Sequence, residues 1–285
     1  MTASQTLAFT KMQGSGNDFA LIDNRDLAIA VTDMADLARA ICPRCFSVGA
    51  DGCIFLEAAP EGSSADYRWH FFNADGSRAE MCGNASRCAA KLAVQLGMAG
   101  PEHVLHTDAG PISARLLDDG QVRVQLTRPF GLILNTTLPV STPPGLGDTE
   151  YELHSVNTGV PHVVLFSDEL EGLDVQSFGS SIRYHEHFSP AGTNANFAKV
   201  TGADELTIRT YERGVEGETL ACGTGAAAAG LISHALGLVG PSITVRTWGG
   251  ETLGIDVDGD DVFLTGQAVK VYTGVLSLDS LPEKA

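Results

Sequence analysis

One stretch of this chain occurs twice, and that repetition constrains the fold more than any other feature. "CGNASRCAAKLAVQLGMAGP" from Cys82 and "CGTGAAAAGLISHALGLVGP" from Cys222 align without a gap at an offset of 140. Leu96-Gly97 falls on Leu236-Gly237, Gly100-Pro101 on Gly240-Pro241, Thr107 on Thr247 and Gly110 on Gly250. Upstream, "GNDFALID" from Gly16 lies on "GVPHVVLF" from Gly159, and "GADGCIF" from Gly49 on "GTNANFA" from Gly192, both at an offset of 143. Three blocks in one order at nearly one offset imply one architecture built twice. The junction lies at 129–150, "PFGLILNTTLPVSTPPGLGD", where Pro, Gly and Thr accumulate. The expected division is an N-terminal lobe 1–130, a C-terminal lobe 131–272 and a tail 273–285 free to pack back on the first lobe.

Each half reads as short strands, one long helix, then more strands. "YRWHFFNADGS" alternates like a strand and ends in an Asp-Gly turn, and "LTIRTYERGVEGE" does the same in the second half. "QVRVQLT" and "DDVFLTG" are the matching strands after each helix. The helices are expected from about 83 and 223 to near Gly97 and Gly237, since a glycine just past the last turn is the usual stop. The expected class is α/β of the α+β type with antiparallel or mixed sheets, because no steady βαβ alternation appears. Cys82 and Cys222 then sit at or beside helix N-termini.

Composition narrows the function. A formal charge of −17 repels phosphate backbones and anionic lipid, which argues against nucleic acid and membrane surfaces. It does not repel a zwitterion, and it keeps a protein soluble. With 44% hydrophobic residues in 285, a real core can form. "MTASQTLAFTKMQGSG" has no basic region followed by an apolar run, so no secretory signal is expected there. From Thr219 to Val245 there is no Asp, Glu, Lys or Arg, yet the run is too rich in Ala and Gly for a membrane span. Such a segment also suits the middle of a globular domain. The six cysteines (42, 45, 53, 82, 88 and 222) are too sparse for a disulfide scaffold, and "CPRC" lacks a second pair at zinc spacing. No metal is expected, and the cytoplasm is the expected compartment.

The repeated thiols carry the chemistry. A helix N-terminus presents unpaired N–H groups and partial positive charge, which stabilise a thiolate and bind a carboxylate. Two such helix starts serving one ligand would place a thiol on each side of its α-carbon. One thiolate would remove the α-proton and the other thiol would return one to the opposite face, inverting the centre. Cys42, Cys53 and Cys88 read instead as small buried apolar residues.

"MQGSGNDF", "FFNADGSRAEMCGN", "TGVPH", "GTNANF" and "YERGVEGETLACGTG" together resemble the diaminopimelate epimerase family, in order, from about residue 8 to about 270. The resemblance implies two pseudo-symmetric lobes, each a sheet wrapped around a central helix, with the active site between them. It implies interconversion of LL- and meso-2,6-diaminopimelate, in lysine and peptidoglycan precursor synthesis, without pyridoxal phosphate or metal. It makes Cys82 and Cys222 the two acid/base residues, and Gly83, Asn84, Gly223 and Thr224 the holders of the reacting carboxylate. Asn17, Asn73, Asn194, Glu212 and Arg213 match the positions that bind the far end of the substrate. Asn17 and Asn73 taken alone would read as turn formers. Where the motif often reads Gly-Asn-Pro-His this chain has Val160, so Asn157 is a candidate replacement; some members carry Gln where this chain has Gly52. His162 is a candidate for tuning a thiol, or else a buried structural histidine. A homodimer is in keeping with symmetric lobes. Two rivals stand beside this reading: a racemase of histidine or of a proline-type amino acid on the same fold, and a non-catalytic thiol-redox protein.

Overall fold

The structure is a computed structural model that describes residues 6–141 and 148–281. Parts of the expected junction (142–147) and of the expected tail (282–285) lie outside the described residues. The chain forms two compact units, one comprising the residues up to Val124 and from Gly266 onward, the other Gln125–Thr265. In chain order the first unit contains β1 (Thr6–Gly14), β2 (Asn17–Asp23), α1 (Val31–Ile41), β3 (Gly52–Ala58), β4 (Tyr67–Asn73), α2 (Gly83–Gln95), β5 (Glu102–Thr107), β6 (Gly110–Leu116) and β7 (Val122–Gln125). The second contains β8 (Phe130–Ser141), β9 (Asp148–Asn157), β10 (Pro161–Phe166), α3 (Val175–Arg183), β11 (Asn194–Gly202), β12 (Glu205–Glu212), β13 (Gly217–Thr219), α4 (Gly223–Ala235), β14 (Ser242–Thr247), β15 (Thr252–Asp258) and β16 (Asp261–Gly266). β17 (Val269–Ser277) then belongs to the first unit, antiparallel to β1 from Thr6↔Ser277 to Gln13↔Val269. The boundaries thus fall near 124/125 and 265/266, because residues from 266 on pair with the first strand of the chain.

The two units share one pairing scheme. In the first the order is β17-β1-β2-β3-β4-β5-β6-β7, parallel at β2–β3 and β4–β5 and antiparallel elsewhere. In the second it is β8-β9-β10-β11-β12-β14-β15-β16, parallel at β10–β11 and β12–β14, with short β13 added to the end of β12. A helix bridges every parallel join, because parallel neighbours need a long crossover. The sheets are therefore mixed, as the sequence predicts.

Each unit buries one helix almost completely. α2 packs on β1, β2, β3 and β6, and α4 on β9, β10, β11, β12, β14 and β15. Small or apolar side chains allow such close approach, as in the Gly225–Gly230 run of α4, while α2 has Ala85, Cys88, Ala89 and Ala90 beside a buried Arg87. Both helices end alike. Gly97 and Gly237 take left-handed φ of 66° and 70°, and the next N–H donates back to Ala93 or Ser233 at 2.9 Å in each case. That closure requires a residue without Cβ strain, so glycine ends each helix. The second helix of each unit covers another apolar layer. Met34, Ala38 and Ile41 of α1 pack with Phe9, Ile22, Cys53, Phe55 and Phe72. Val175, Phe178 and Ile182 of α3 pack with Leu153, Val163, Phe197 and Tyr211. Among the described residues no helix is long and apolar enough to cross a membrane.

Candidate active site

Cys82 and Cys222 occupy one structural position in the two units: each is the N-cap residue of the buried helix. Both have extended backbone, with φ/ψ of −151°/123° and −127°/109°, and neither side chain caps its helix. The first-turn N–H groups of α2 and α4 therefore keep their capacity to bind an anion. Neither first turn carries an acidic residue that would compete for them. Cys82 is half-buried and Cys222 is 7% exposed. Cys42, Cys53 and Cys88 are buried, and burial raises their thiols, Cys42 and Cys88 to about 12, so they stay protonated and unreactive.

In the first unit a file of amides leads away from the start of α2. Asn84 Nδ2 donates to Asn17 Oδ1 at 2.7 Å, and Asn17 Nδ2 donates to Asp51 at 3.1 Å. Arg87, fully buried one turn into α2, donates to Asn84 Oδ1 at 3.0 Å and to Ser15 Oγ at 2.5 Å. It also reaches the carbonyls of Gly83 at 3.4 Å and Gln267 at 3.3 Å. Each donation fixes the next amide's orientation, so Asn84 and Asn17 are held in one rotamer before any ligand arrives. Asp51 in turn pairs with Arg44 at 2.9 Å. Asp18 lies between Lys11 at 2.7 Å and Arg44 at 2.6 Å. Burial works to raise its carboxyl, but those two cations hold it below the usual carboxylate range.

In the second unit the file runs through an imidazole. Thr224 Oγ1 lies 3.5 Å from Cys222 Sγ and 2.9 Å from His162 Nε2. His162 Nδ1 lies 3.1 Å from Asn196 Nδ2, which also donates to Val163 O at 2.8 Å, while Asn196 Oδ1 accepts from Thr210 Oγ1 at 3.0 Å. Burial first, then the charge of Arg213, lowers His162 to about 3, so it is neutral at physiological pH. Thr158 Oγ1 donates to the Thr224 carbonyl at 2.9 Å and fixes that residue's backbone.

The far-end candidates divide into braces and half-exposed groups. Asn194 Nδ2 donates to Pro161 O at 2.9 Å and its Oδ1 accepts from Arg213 N–H at 2.8 Å, so this buried amide ties β10 to the end of β12. Its Nδ2 carries a second N–H beside the one given to Pro161 O. Arg213 donates to Ala191 O at 2.9 Å. Glu212 is half-buried, and burial raises its carboxyl above the ordinary range. Asn73 is exposed at the end of β4, and its Nδ2 donates to Ser77 Oγ at 2.9 Å across the turn. Asn157 Oδ1 accepts from Gly159 N–H at 2.9 Å, which shapes the turn before Val160. A Cβ at Gly52 would lie 2.6 Å from the Phe71 ring and 2.8 Å from Phe72 O, so no side chain fits there.

The family profile described as diaminopimelate epimerase matches residues 9–130 and 154–271. The chain belongs to the diaminopimelate epimerase family. It is 46% identical to the diaminopimelate epimerase of Hydrogenobaculum sp. (strain Y04AAS1), an alignment covering 96% of this chain and 99% of that protein. Among solved structures, the PhzF-family phenazine biosynthesis protein of Bacillus anthracis matches with a TM-score of 0.70 at 14% identity, over 95% of this chain and 99% of that one. The probable proline racemase of Agrobacterium radiobacter K84, with bound carbonate, matches with a TM-score of 0.65 at 18% identity, over 96% of this chain and 93% of that one. At such identities these two share the fold alone.

Sequence reasoning overlooked Arg87, Ser15, Asp51, Asn196, Thr158 and Thr210. For Asn196 a signal existed. In a strand, residues two apart point to one face, so Asn194 as a candidate brings Asn196 with it. For Arg87 there was none, because an arginine in a helix is usually solvated.

Proposed function

We propose that this chain interconverts LL- and meso-2,6-diaminopimelate by two-base proton transfer, with Cys82 and Cys222 as the bases. The observation that carries the proposal is that a duplicated fold puts one cysteine at the N-cap of the buried helix in each unit, within a chain of this family. One sulfur, as thiolate, takes the α-proton and becomes a thiol. The other, as thiol, delivers a proton to the opposite face and becomes a thiolate, so the pair keeps its net charge. The roles reverse for the other stereoisomer. The electron pair left on carbon spreads into the α-carboxylate, where first-turn N–H groups at Gly83-Asn84 and Gly223-Thr224 gain strength as charge develops. Asn17, Asn73, Asn194, Glu212 and Arg213 read the distal amino-acid group. Arg213 suits its carboxylate and Glu212 its ammonium. The step as written uses only side chains and backbone of this chain.

The partner is thus a zwitterionic amino acid, in keeping with the acidic surface, and the proposed compartment is the cytoplasm, outside membranes and away from nucleic acid. A second copy of the chain is proposed as partner, supported by β17, which exposes Val271, Tyr272 and Val275. In deuterated water, purified protein without added cofactor should turn LL-diaminopimelate into meso with deuterium at the inverted carbon. Cys82→Ala and Cys222→Ala should each abolish that turnover. Faster racemisation of histidine or proline than of diaminopimelate would move the assignment to another racemase on this fold. Full turnover surviving both substitutions would leave the thiols to redox chemistry.

A further inference from the structure

We infer that Asn196, His162 and Thr224 form one directed hydrogen-bond chain whose last hydrogen points at Cys222 Sγ, making Thr224 the residue that holds this sulfur as a thiolate. The inference rests on the reading of Cys222 as an acid/base group and adds the device that sets its resting state.

The direction follows from the far end. Asn196 Nδ2 lies 2.8 Å from the Val163 carbonyl, which can only accept, and Asn196 Oδ1 receives the Thr210 hydroxyl at 3.0 Å. The amide orientation is thereby settled, and the second N–H of Nδ2 meets His162 Nδ1 at 3.1 Å. That ring nitrogen is an acceptor, so the proton of the neutral imidazole sits on Nε2. Nε2–H then donates to Thr224 Oγ1 at 2.9 Å. A hydroxyl that accepts at its oxygen from the imidazole turns its own hydrogen elsewhere, and Cys222 Sγ lies 3.5 Å away. A donor aimed at sulfur favours the charged form of a thiol.

His162 is 1% exposed, and the charge that acts on it is that of Arg213, which opposes an imidazolium. The imidazole therefore acts as a fixed neutral donor and does not itself exchange protons. The first unit is wired differently at the matching helix position. There Asn84 stands at the place of Thr224, and its amide engages Asn17 and Arg87. The two sulfurs are set by unlike devices, which suits a pair that must rest with one protonated and one not.

The test reads the thiol without substrate. Intact protein is alkylated with iodoacetamide from pH 5.5 to 9.5, and Cys222 and Cys82 peptides are quantified by mass spectrometry. Thr224→Val should slow Cys222 alkylation at pH 7 about tenfold or more and move its pH profile up, while the Cys82 profile in the same molecules stays put. Thr224→Ser, which keeps the hydroxyl, should restore the wild-type profile. His162→Gln, whose amide can donate where Nε2–H does, should stay near wild type, whereas His162→Leu should resemble Thr224→Val. A Cys222 profile unmoved by Thr224→Val, or His162→Gln as defective as His162→Leu, would overturn the inference. Because alkylation needs no turnover, these outcomes are independent of whether wild-type protein epimerises diaminopimelate.

Discussion

Gly225→Ala should destabilise this protein although helix propensity says the opposite. Gly225 is the third residue of α4, in ordinary helical backbone, where alanine gains about 1 kcal/mol over glycine. A Cβ built there, however, lies 2.4 Å from Asn196 Oδ1 and 3.3 Å from Cys222 Sγ. Asn196 is 1% exposed and is held at both ends by Val163, Thr210 and His162, so it has nowhere to go without giving up a bond. Overpacking of this kind costs about 1–3 kcal/mol, and a buried amide that loses a partner costs about 1–3 kcal/mol more. After the propensity gain, the expected net loss is about 1–5 kcal/mol, which at about 2–4 °C per kcal/mol lowers Tm by roughly 2–20 °C in scanning calorimetry. The matching position of the first unit is Ala85, fully buried, and the residue matching Asn196 is Cys53. Ala85→Gly should therefore also destabilise, through lost propensity and a small void, by about 1–2 kcal/mol. If Gly225→Ala melts at or above the wild-type temperature, Asn196 is not held as described, and the directed chain to Cys222 loses its anchor.

Two further outcomes follow from the same geometry. Arg87→Met should cost about 3 kcal/mol or more in denaturant unfolding, because it strips partners from Ser15, Asn84 and two carbonyls, and it should raise KM for LL-diaminopimelate more than it lowers kcat, since Asn84 loses its fixed rotamer. Glu212→Gln should stabilise at pH 8 by roughly a degree or two in Tm while impairing turnover: burial raises this carboxyl, so the native state favours its protonated form, the charged form carries the cost above the folded pKa, and the advantage of Gln must shrink as pH falls toward 4.5. An advantage independent of pH would refute that origin.

How much of this could be read from the chain depends on which interactions leave a periodic trace. The duplication did, because it repeats whole elements: α2 and α4 begin and end 140 residues apart, and their Gly97 and Gly237 stops are the same closure made twice. The cysteine positions were legible for the same reason, since an N-cap is fixed by where a helix begins. The unit boundaries were less so. β17 pairs with β1 from the other end of the chain, and a strand's partner is set by register across hundreds of residues, which no local pattern encodes. Val271 and Val275 look like ordinary strand residues whichever sheet receives them.

The asymmetry between the units was the least legible part. Repeats argue from likeness, yet Thr224 faces His162 in the second unit while the matching Asn84 faces Asn17 in the first. On the proposed mechanism the two sulfurs hold one proton between them and exchange roles with the direction of reaction, and unlike surroundings would bias which of them rests as the thiolate. The duplicated fold gives each cysteine the same N-cap position, and the residues behind the two helix starts differ. Swapping the pair, as Asn84→Thr with Thr224→Asn, would test this division: the helices should form as before, since neither residue is an N-cap, while the Cys222 alkylation profile moves up. A swap that left the Cys222 profile where it was would place the difference in the helices themselves.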